Sequence, residues 1–407
     1  MKRRNKRNKG ERSMTTLYQR ANIFNGKEEA LITDGWFVVD NTSGRITAMG
    51  SGKAPQADVV VDLKGKYVMP GLINAHTHMT MDPDALDSGL AVNEIEASVL
   101  ALKNLHTCLK SGVTYIRECG ATYDIDITMA RLEREGKISQ VPEIMPSGRA
   151  YSMTGGHGDM PNFSCLVDSP DEMRHAIRQG MKNGAQTIKL MATGGVMTED
   201  DHMFQPQLSI EEMRVAVAEA HHKGRTVSAH AEGPQGIKNA IAAGVDGVEH
   251  CFYCDDEDIE KMIEQGTHVN PTVVADWIIA TKGKATLPTF QVVKAANALD
   301  DLLANLKKAW DAGVKMGLGT DAGTPFNGFE MTPVELELMV ELLDRTPYQA
   351  LMTSYASAEF MRIDKDYGSL ETGKYADFLV LKHNPLVDIK AVQEIDKAVY
   401  KKGVRQF

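Results

Sequence analysis

Six chemically active residues of this chain each close a short apolar run. Val68-Met-Pro-Gly-Leu-Ile-Asn-Ala leads into His76-Thr-His78, Gln186-Thr-Ile into Lys189, Val227-Ser-Ala into His230, Val248-Glu into His250, and Met316-Gly-Leu-Gly-Thr into Asp321. Each run has the length and character of a β-strand. Side chains remote in sequence, all at C-terminal strand ends, converge where a parallel (β/α)8 barrel builds its active site. The expected fold class is therefore α/β, with a TIM barrel at its centre.

Length agrees with that reading and adds to it. The chain has 407 residues, 43% hydrophobic and 25% charged, more than the roughly 250 of a minimal barrel. The surplus lies at both ends. Residues 15–64 hold short strand-like runs (Thr16–Ala21, Ala30–Asp34, Gly35–Val39, Gly44–Gly50, Val59–Leu63) separated by turn signals, which predicts an antiparallel module. The same character returns in Ala376–Lys382 and Lys397–Arg405. Two terminal β-pieces most simply join as one small β-sandwich. The expected division is a disordered basic tail over 1–14, sandwich pieces over 15–64 and 364–407, and a barrel over 65–363. Within the barrel region, helices are expected at Glu94–Ser111, Asp171–Asn183, Ser209–Lys223, Gln235–Ala243, Asp255–Gln265 and Val292–Ala312. Ser209-Ile-Glu-Glu212 is a capping box, and Gly112 and Gly224 are stop signals.

Charge and cysteine usage exclude several roles. A formal net charge of −10 disfavours nucleic acid and anionic membranes as partners. No apolar stretch approaches the ~18 residues of a membrane span. The segment Met1–Met14 is strongly basic but has no apolar core after it, so it does not read as a secretory signal. Five cysteines, an odd number, fit reduced thiols and a cytoplasmic protein. Cys251-Phe-Tyr-Cys254 stands without a second pair and reads as structural.

The residue types point to metal chemistry. His76 and His78 are i and i+2 on a strand and leave the same face, a bidentate clamp. His230, His250 and Asp321 complete a nitrogen and oxygen set suited to Zn²⁺, with Mn²⁺, Co²⁺ or Fe²⁺ as alternatives. His106, His175, His221, His222, His268 and His383 read as structural or surface residues. Lys189 has two readings. As a carbamate it would be an anionic ligand bridging two cations ~3.5–4 Å apart; as an ammonium it would pair with an acidic neighbour or bind substrate.

Motifs along the whole length after the tail resemble the amidohydrolase superfamily: Pro70-Gly-Leu-Ile-Asn-Ala-His-Thr-His78, Gly112-Val-Thr-Tyr-Ile-Arg117, Gly247-Val-Glu-His250, Gly319-Thr-Asp-Ala-Gly323 and Gly368-Ser-Leu-Glu-Thr-Gly-Lys-Tyr-Ala-Asp-Phe-Leu-Val380. Ile188-Lys-Leu-Met-Ala-Thr-Gly-Gly195 and Thr154-Gly-Gly-His-Gly-Asp159 are similar to the imidazolonepropionase-related branch. That branch holds Xaa-Pro dipeptidases (prolidases), carboxypeptidases of N-acyl amino acids or dipeptides, and a fungal ochratoxin amidase. The resemblance implies two zinc ions per chain, held by His76, His78, His230, His250 and Asp321 and bridged by carboxylated Lys189. It implies amide or peptide hydrolysis of a small-molecule substrate, through a metal-bridged hydroxide with Asp321 as proton shuttle. His157 and Tyr151 are the expected substrate contacts, and a homo-oligomer the expected state. An imidazolonepropionase-like cyclic-amide hydrolase, a deaminase of a nucleobase-like ring and a catalytically silent barrel are the alternatives.

One position departs from the branch. Its members often read His-Ala-His-Gly where this chain has His230-Ala-Glu232-Gly233. A carboxylate at Glu232 beside the substrate attracts a basic group and repels an acidic one; alternatively it turns into a salt bridge.

Overall fold

The computed structural model describes residues 13–85, 89–91, 93–197 and 200–407. Residues 1–12 of the basic tail lie outside them, as do 198–199 of the loop 198–207 beside the site.

Five strands open the chain: β1 (Thr15–Ile23), β2 (Ile32–Asp40), β3 (Arg45–Ser51), β4 (Val59–Asp62) and β5 (Tyr67–Pro70). From Leu72, strands and helices alternate. β6 (Leu72–Thr77), α1 (Glu94–Ser111), β7 (Val113–Glu118), α2 (Ile125–Arg134), β8 (Glu143–Met145), β9 (Ala150–Ser152) and β10 (Ser164–Leu166) come first. Then follow α3 (Pro170–Asn183), β11 (Thr187–Met191), α4 (Ile210–His221), β12 (Thr226–Ala231), α5 (Pro234–Ala243), β13 (Gly247–His250), α6 (Asp256–Gln265) and β14 (His268–Asn270). The last alternating elements are α7 (Val273–Lys282), α8 (Thr289–Ala312), β15 (Lys315–Met316), α9 (Thr332–Leu342) and α10 (Pro347–Phe360). β16 (Phe378–Leu381), β17 (Ala398–Lys401) and β18 (Val404–Arg405) close the chain.

Both chain ends enter one sheet, in the order β18-β17-β16-β5-β1-β2-β3, with β4 also on β1. Leu379 of β16 lies opposite Met69 of β5 in antiparallel register. The module is mixed rather than wholly antiparallel, because β4 and β5 both run parallel to β1. The link after β3 returns the chain to the start of β1, where Asp58 Oδ2 accepts from Thr15 N at 2.8 Å. The stretch read as two strands, Ala30–Asp34 and Gly35–Val39, is one strand with a register shift against β1 and a left-handed Asp34 at φ 47°. Tyr18, Phe37, Phe378 and Tyr400 pack as its aromatic core, with Phe378 and Tyr400 stacked at 4.3 Å.

The alternating region forms two parallel sheets, β6-β7-β8 and β10-β9-β11-β12-β13-β14-β15. Their central strands are buried at every residue, as parallel strands covered by helices must be. The segment after β15 lies against β6: Ala75 N donates to Leu318 O at 2.7 Å, Asp321 N to His76 O at 3.0 Å, and His78 N to Ala322 O at 2.8 Å. Several caps fall where the sequence signals them, but α4 ends at His221 with a right-handed His222 as its cap, short of the expected stop at Gly224. Asn93 accepts from Ile95 N and Glu96 N before α1, and Gly112 ends it at φ 109°. Both partners of the Ser209–Glu212 capping box are engaged before α4.

The segment 276–289 is mostly helical, holding most of α7 and the start of α8. The α7 sequence Val-Val-Ala-Asp-Trp-Ile-Ile-Ala is buried almost all round, so it lacks the amphipathic period that marks a surface helix. Among the described residues no helix is long and apolar enough to cross a membrane.

Candidate metal centre and active site

The C-terminal end of β6 delivers two imidazoles to one carboxylate. Asp321 Oδ1 lies 3.1 Å from His76 Nε2 and 3.0 Å from His78 Nε2. Asp321 sits at φ 58° and His250 at φ 70°. Left-handed backbone at a bulky residue such as histidine costs energy and is kept where surrounding structure enforces it, often at functional sites. Asn327 braces the first of these turns, donating to Thr320 O at 2.7 Å and Asp321 O at 3.0 Å.

β12 and β13 add the other imidazoles. His230 Nε2 is 3.1 Å from Gly194 O, and His250 Nδ1 is 2.7 Å from Thr272 Oγ1. The two rings stand 4.7 Å apart. Potential ligand atoms fall into neighbouring groups, each within 4.8 Å: His76, His78 and Asp321, then His230, Glu232 and His250. Lys189, on β11, reaches between them, its Nζ 3.5 Å from His76 Nε2. It is 1% exposed, and its charge acts on Glu249 from beyond hydrogen-bond distance.

Behind β6 a buried polar network fixes His76. Its Nδ1 is 2.9 Å from Glu249 Oε2, which also accepts from Asn270 Nδ2 at 2.9 Å. Arg117 holds the other Glu249 oxygen and donates to Ala75 O at 2.7 Å and Ser228 Oγ at 2.8 Å. His78 Nδ1 is held by Gly120 O at 3.0 Å. Burial opposes charge on Glu249, yet Arg117 and His76 hold its carboxyl well below the usual range. Burial likewise opposes charge on Asp321, and His76 and His78 hold it well below. Burial pushes His230 and His250 well below the ordinary histidine range, with neighbouring histidines adding to it. Burial opposes charge on His76 as well, but Cys119, Glu249 and Asp321 hold it well above the ordinary histidine range. Imidazoles with one ring nitrogen tied to protein, gathered around ionised carboxylates, form a donor set that fits divalent metal.

All six residues line one cavity of about 520 Å³, with His157, Glu232 and Asp276, within the range of small-molecule sites. Met81, Phe163, Met191, Val196, Ile279 and Phe290 make its apolar wall. His157 is stacked on His230 at 4.1 Å. Its Nδ1 is 2.7 Å from Asp201 Oδ2, and Gln207 Nε2 donates to Asp201 Oδ1 at 2.7 Å. Glu232 is 4% exposed, and its Oε2 has no hydrogen-bond partner among the described residues. Burial pushes its carboxyl well above the usual range, with Asp276 adding to it. Asp276 is pushed up to about 8 by burial and by Asp321.

Tyr151 is placed elsewhere. It lines a different cavity with Arg149 and His175, and its hydroxyl donates to Ala176 O at 3.4 Å. A Cβ on Gly180 of α3 would meet that hydroxyl at 2.1 Å, so the ring packs on the helix layer. Alternation along β9 sends its neighbours to the opposite face. Reading the sequence by motif did not single out Asp201, Asp276, or the Arg117–Glu249–Asn270 network. The available signal was a charged residue inside an otherwise apolar strand, at Arg117 and Glu249. Away from the site, His221 pairs with Asp246 and His383 with Glu394, while buried His268 leaves Nε2 without a partner among the described residues. Cys251 and Cys254 are buried free thiols.

Comparison with known proteins agrees with this geometry. Ochratoxinase of Aspergillus niger is 34% identical over 358 residues, 80% of this chain and 72% of that protein; its crystal structure superposes with a TM-score of 0.86, covering 97% and 96% of the two chains at 29% identity. A Xaa-Pro dipeptidase crystallised with methionine in its active site is 30% identical, with a TM-score of 0.87 over 96% of this chain and 99% of that one. A 5-methylthioadenosine/S-adenosylhomocysteine deaminase of Bacillus cereus is 25% identical over 413 residues, 94% of this chain and 88% of that protein. Residues 67–405 match the profile of one family across most of the chain, and on that match this protein belongs to the amidohydrolase family.

Proposed function

We propose that this chain hydrolyses an amide or peptide bond of a small substrate, a dipeptide or an N-acyl amino acid, using two divalent metal ions. The observation that carries this is the convergence of His76, His78, His230, His250 and Asp321 around a buried Lys189 on one cavity. His76, His78 and Asp321 would hold one ion, His230 and His250 the other, with carboxylated Lys189 between them; zinc fits best, and Mn²⁺, Co²⁺ or Fe²⁺ are also suited. Such ions polarise a scissile carbonyl and lower the pKa of water. Asp321 takes a proton from the attacking water and returns it to the leaving nitrogen. Asp201 fixes the His157 ring so that Nε2 is left for a substrate oxygen.

The same reading extends to architecture and setting. The two parallel sheets, joined through residues 318–322 and β6, form one (β/α)8 barrel spanning 65–363. The terminal sheet, one sheet of eight strands that draws on both chain ends and reaches to β5 at Tyr67–Pro70, serves as the β-sandwich domain expected over 15–64 and 364–407. Exposed Ile95, Val99 and Leu102, three and four residues apart on α1, support pairing of copies, since clustered apolar surface marks interfaces. Unbridged cysteines support a reducing, cytoplasmic setting.

The test is elemental analysis of purified protein together with a screen of dipeptides and N-acyl amino acids. About two ions per chain and amide cleavage are expected. One firmly bound ion with full activity points to the cyclic-amide reading. Ammonia release from a purine-like ring, as the deaminase relative does by its name, overturns the assignment. Carboxylated Lys189 should give a carbamate carbon signal after growth on ¹³C-bicarbonate, absent in Lys189→Ala.

A further inference from the structure

Glu232 and Asp276 form an acidic end to a cavity whose wall is otherwise mainly apolar. Both line it, and they are 4% and 5% exposed. They come from different elements, the end of β12 and the first turn of α7. No lysine or arginine among the described residues forms an ion pair with either carboxyl group. Glu232 Oε1 has only His230 Nε2, at 3.8 Å, and Oε2 has no hydrogen-bond partner. Lys294 influences Glu232 from a distance, but its ammonium donates to Asp201 O at 2.6 Å. Glu232 lines the cavity and keeps a buried carboxyl oxygen that no described residue satisfies, and such an oxygen calls for a donor.

We infer that Glu232 and Asp276 receive a cationic group of the substrate, an ammonium or guanidinium held beside the scissile bond. This rests on the proposed amide hydrolysis and narrows it to substrates carrying such a group. Glu232 directly follows β12, and its Oε1 lies 3.8 Å from His230 Nε2, so the cation sits close to the reacting carbonyl. The apolar wall takes the rest of the substrate. Two sources offer the same chemistry: a basic side chain, or the free α-amine of a dipeptide.

The experiment compares kcat/KM for glycyl-lysine, glycyl-norleucine, glycyl-glutamate, N-acetyl-lysine and N-acetyl-norleucine. Lysine and norleucine share a chain length and differ in the terminal charge. Lysine over norleucine reports a side-chain cation; glycyl over acetyl reports the α-amine. A preference of about tenfold or more for one cation is expected, as for a partly desolvated charge pair. It should collapse in Glu232→Gln, Asp276→Asn and the double variant, all near-isosteric. Equal rates for neutral and cationic substrates overturn the inference, as does a preference that survives all three variants. Loss of bound metal in Glu232→Gln also overturns it, since Glu232 would then be a ligand of the ion. If no amide is cleaved, the proposed function fails on its own. Calorimetric binding of lysine against norleucine then decides the inference: tighter lysine binding, lost in the double variant, supports it, and equal binding overturns it.

Discussion

The two ends of the cavity are built to different standards of satisfaction. At the His76 end the ligand groups are tied from several sides: Glu249 accepts from Asn270 and Arg117 and holds His76, and Asp321 spans two imidazoles; the unpartnered oxygens there, Asn270 Oδ1 and Asn327 Oδ1, belong to supporting amides. At the Glu232 end the unpartnered oxygen belongs to a carboxyl group on the cavity wall, with the buried Asp276 carboxyl acting on it. A braced shell holds its groups in one geometry, which ion binding and proton transfer require. An unsatisfied one is completed by a partner that comes and goes. Under the proposed function, the first end performs the chemistry and the second selects the substrate.

The sharpest way to break this comparison is Asp321→Asn. The amide keeps the shape and an oxygen but cannot shuttle a proton, so kcat should fall by about 10²–10⁴, the usual contribution of a general acid–base group. Bound metal should stay near the parent level by elemental analysis. A variant within a few-fold of the parent would place the proton shuttle at the other end of the cavity.

Arg117→Met attacks the brace. It leaves Glu249 buried and without its main cation, and breaking such a pair costs about 3–5 kcal/mol. Chemical denaturation should show that loss. A much smaller one would mean that Asn270 and His76 suffice to carry the charge. Glu249→Gln is milder because the amide still fills the space and still offers an oxygen to the network. Removing the partner of a ligand histidine typically weakens metal affinity by about 10–100-fold, so competition with a chelator should show a shift of that size. An unchanged affinity would make the network a folding element only.

The braced end was largely legible in the sequence and the selective end was not. Ligation needs particular residue types at strand ends, so His76, His78, Lys189, His230, His250 and Asp321 stood out before any coordinates, and Glu232 followed from alternation along the same strand. Asp276 was hidden because α7 is buried almost all round and has no polar face to betray a helix. Asp201 lies in a loop, whose path no periodicity encodes. Arg117 and Glu249 were visible only as motif letters; their pairing joins two strands 132 positions apart. In the terminal sheet the strands were legible, but the expected antiparallel order fails at β4 and β5, whose parallel pairing depends on how the chain returns after β3.

Tyr151 gives the smallest effect and the cleanest control. It was expected at the substrate, yet its ring packs beneath α3 with the hydroxyl on Ala176 O, at the long distance of 3.4 Å. A hydrogen bond of that length is weak, and removing it leaves a backbone carbonyl that α3 can satisfy through its own ladder. Tyr151→Phe keeps the ring, so the core around it stays filled. The variant should lose no more than about 1 kcal/mol of stability, and kcat/KM for the preferred substrate should be unchanged. A drop in kcat/KM of tenfold or more, with stability intact, would mean that the second cavity communicates with the metal site, and the division between its two ends would no longer account for specificity.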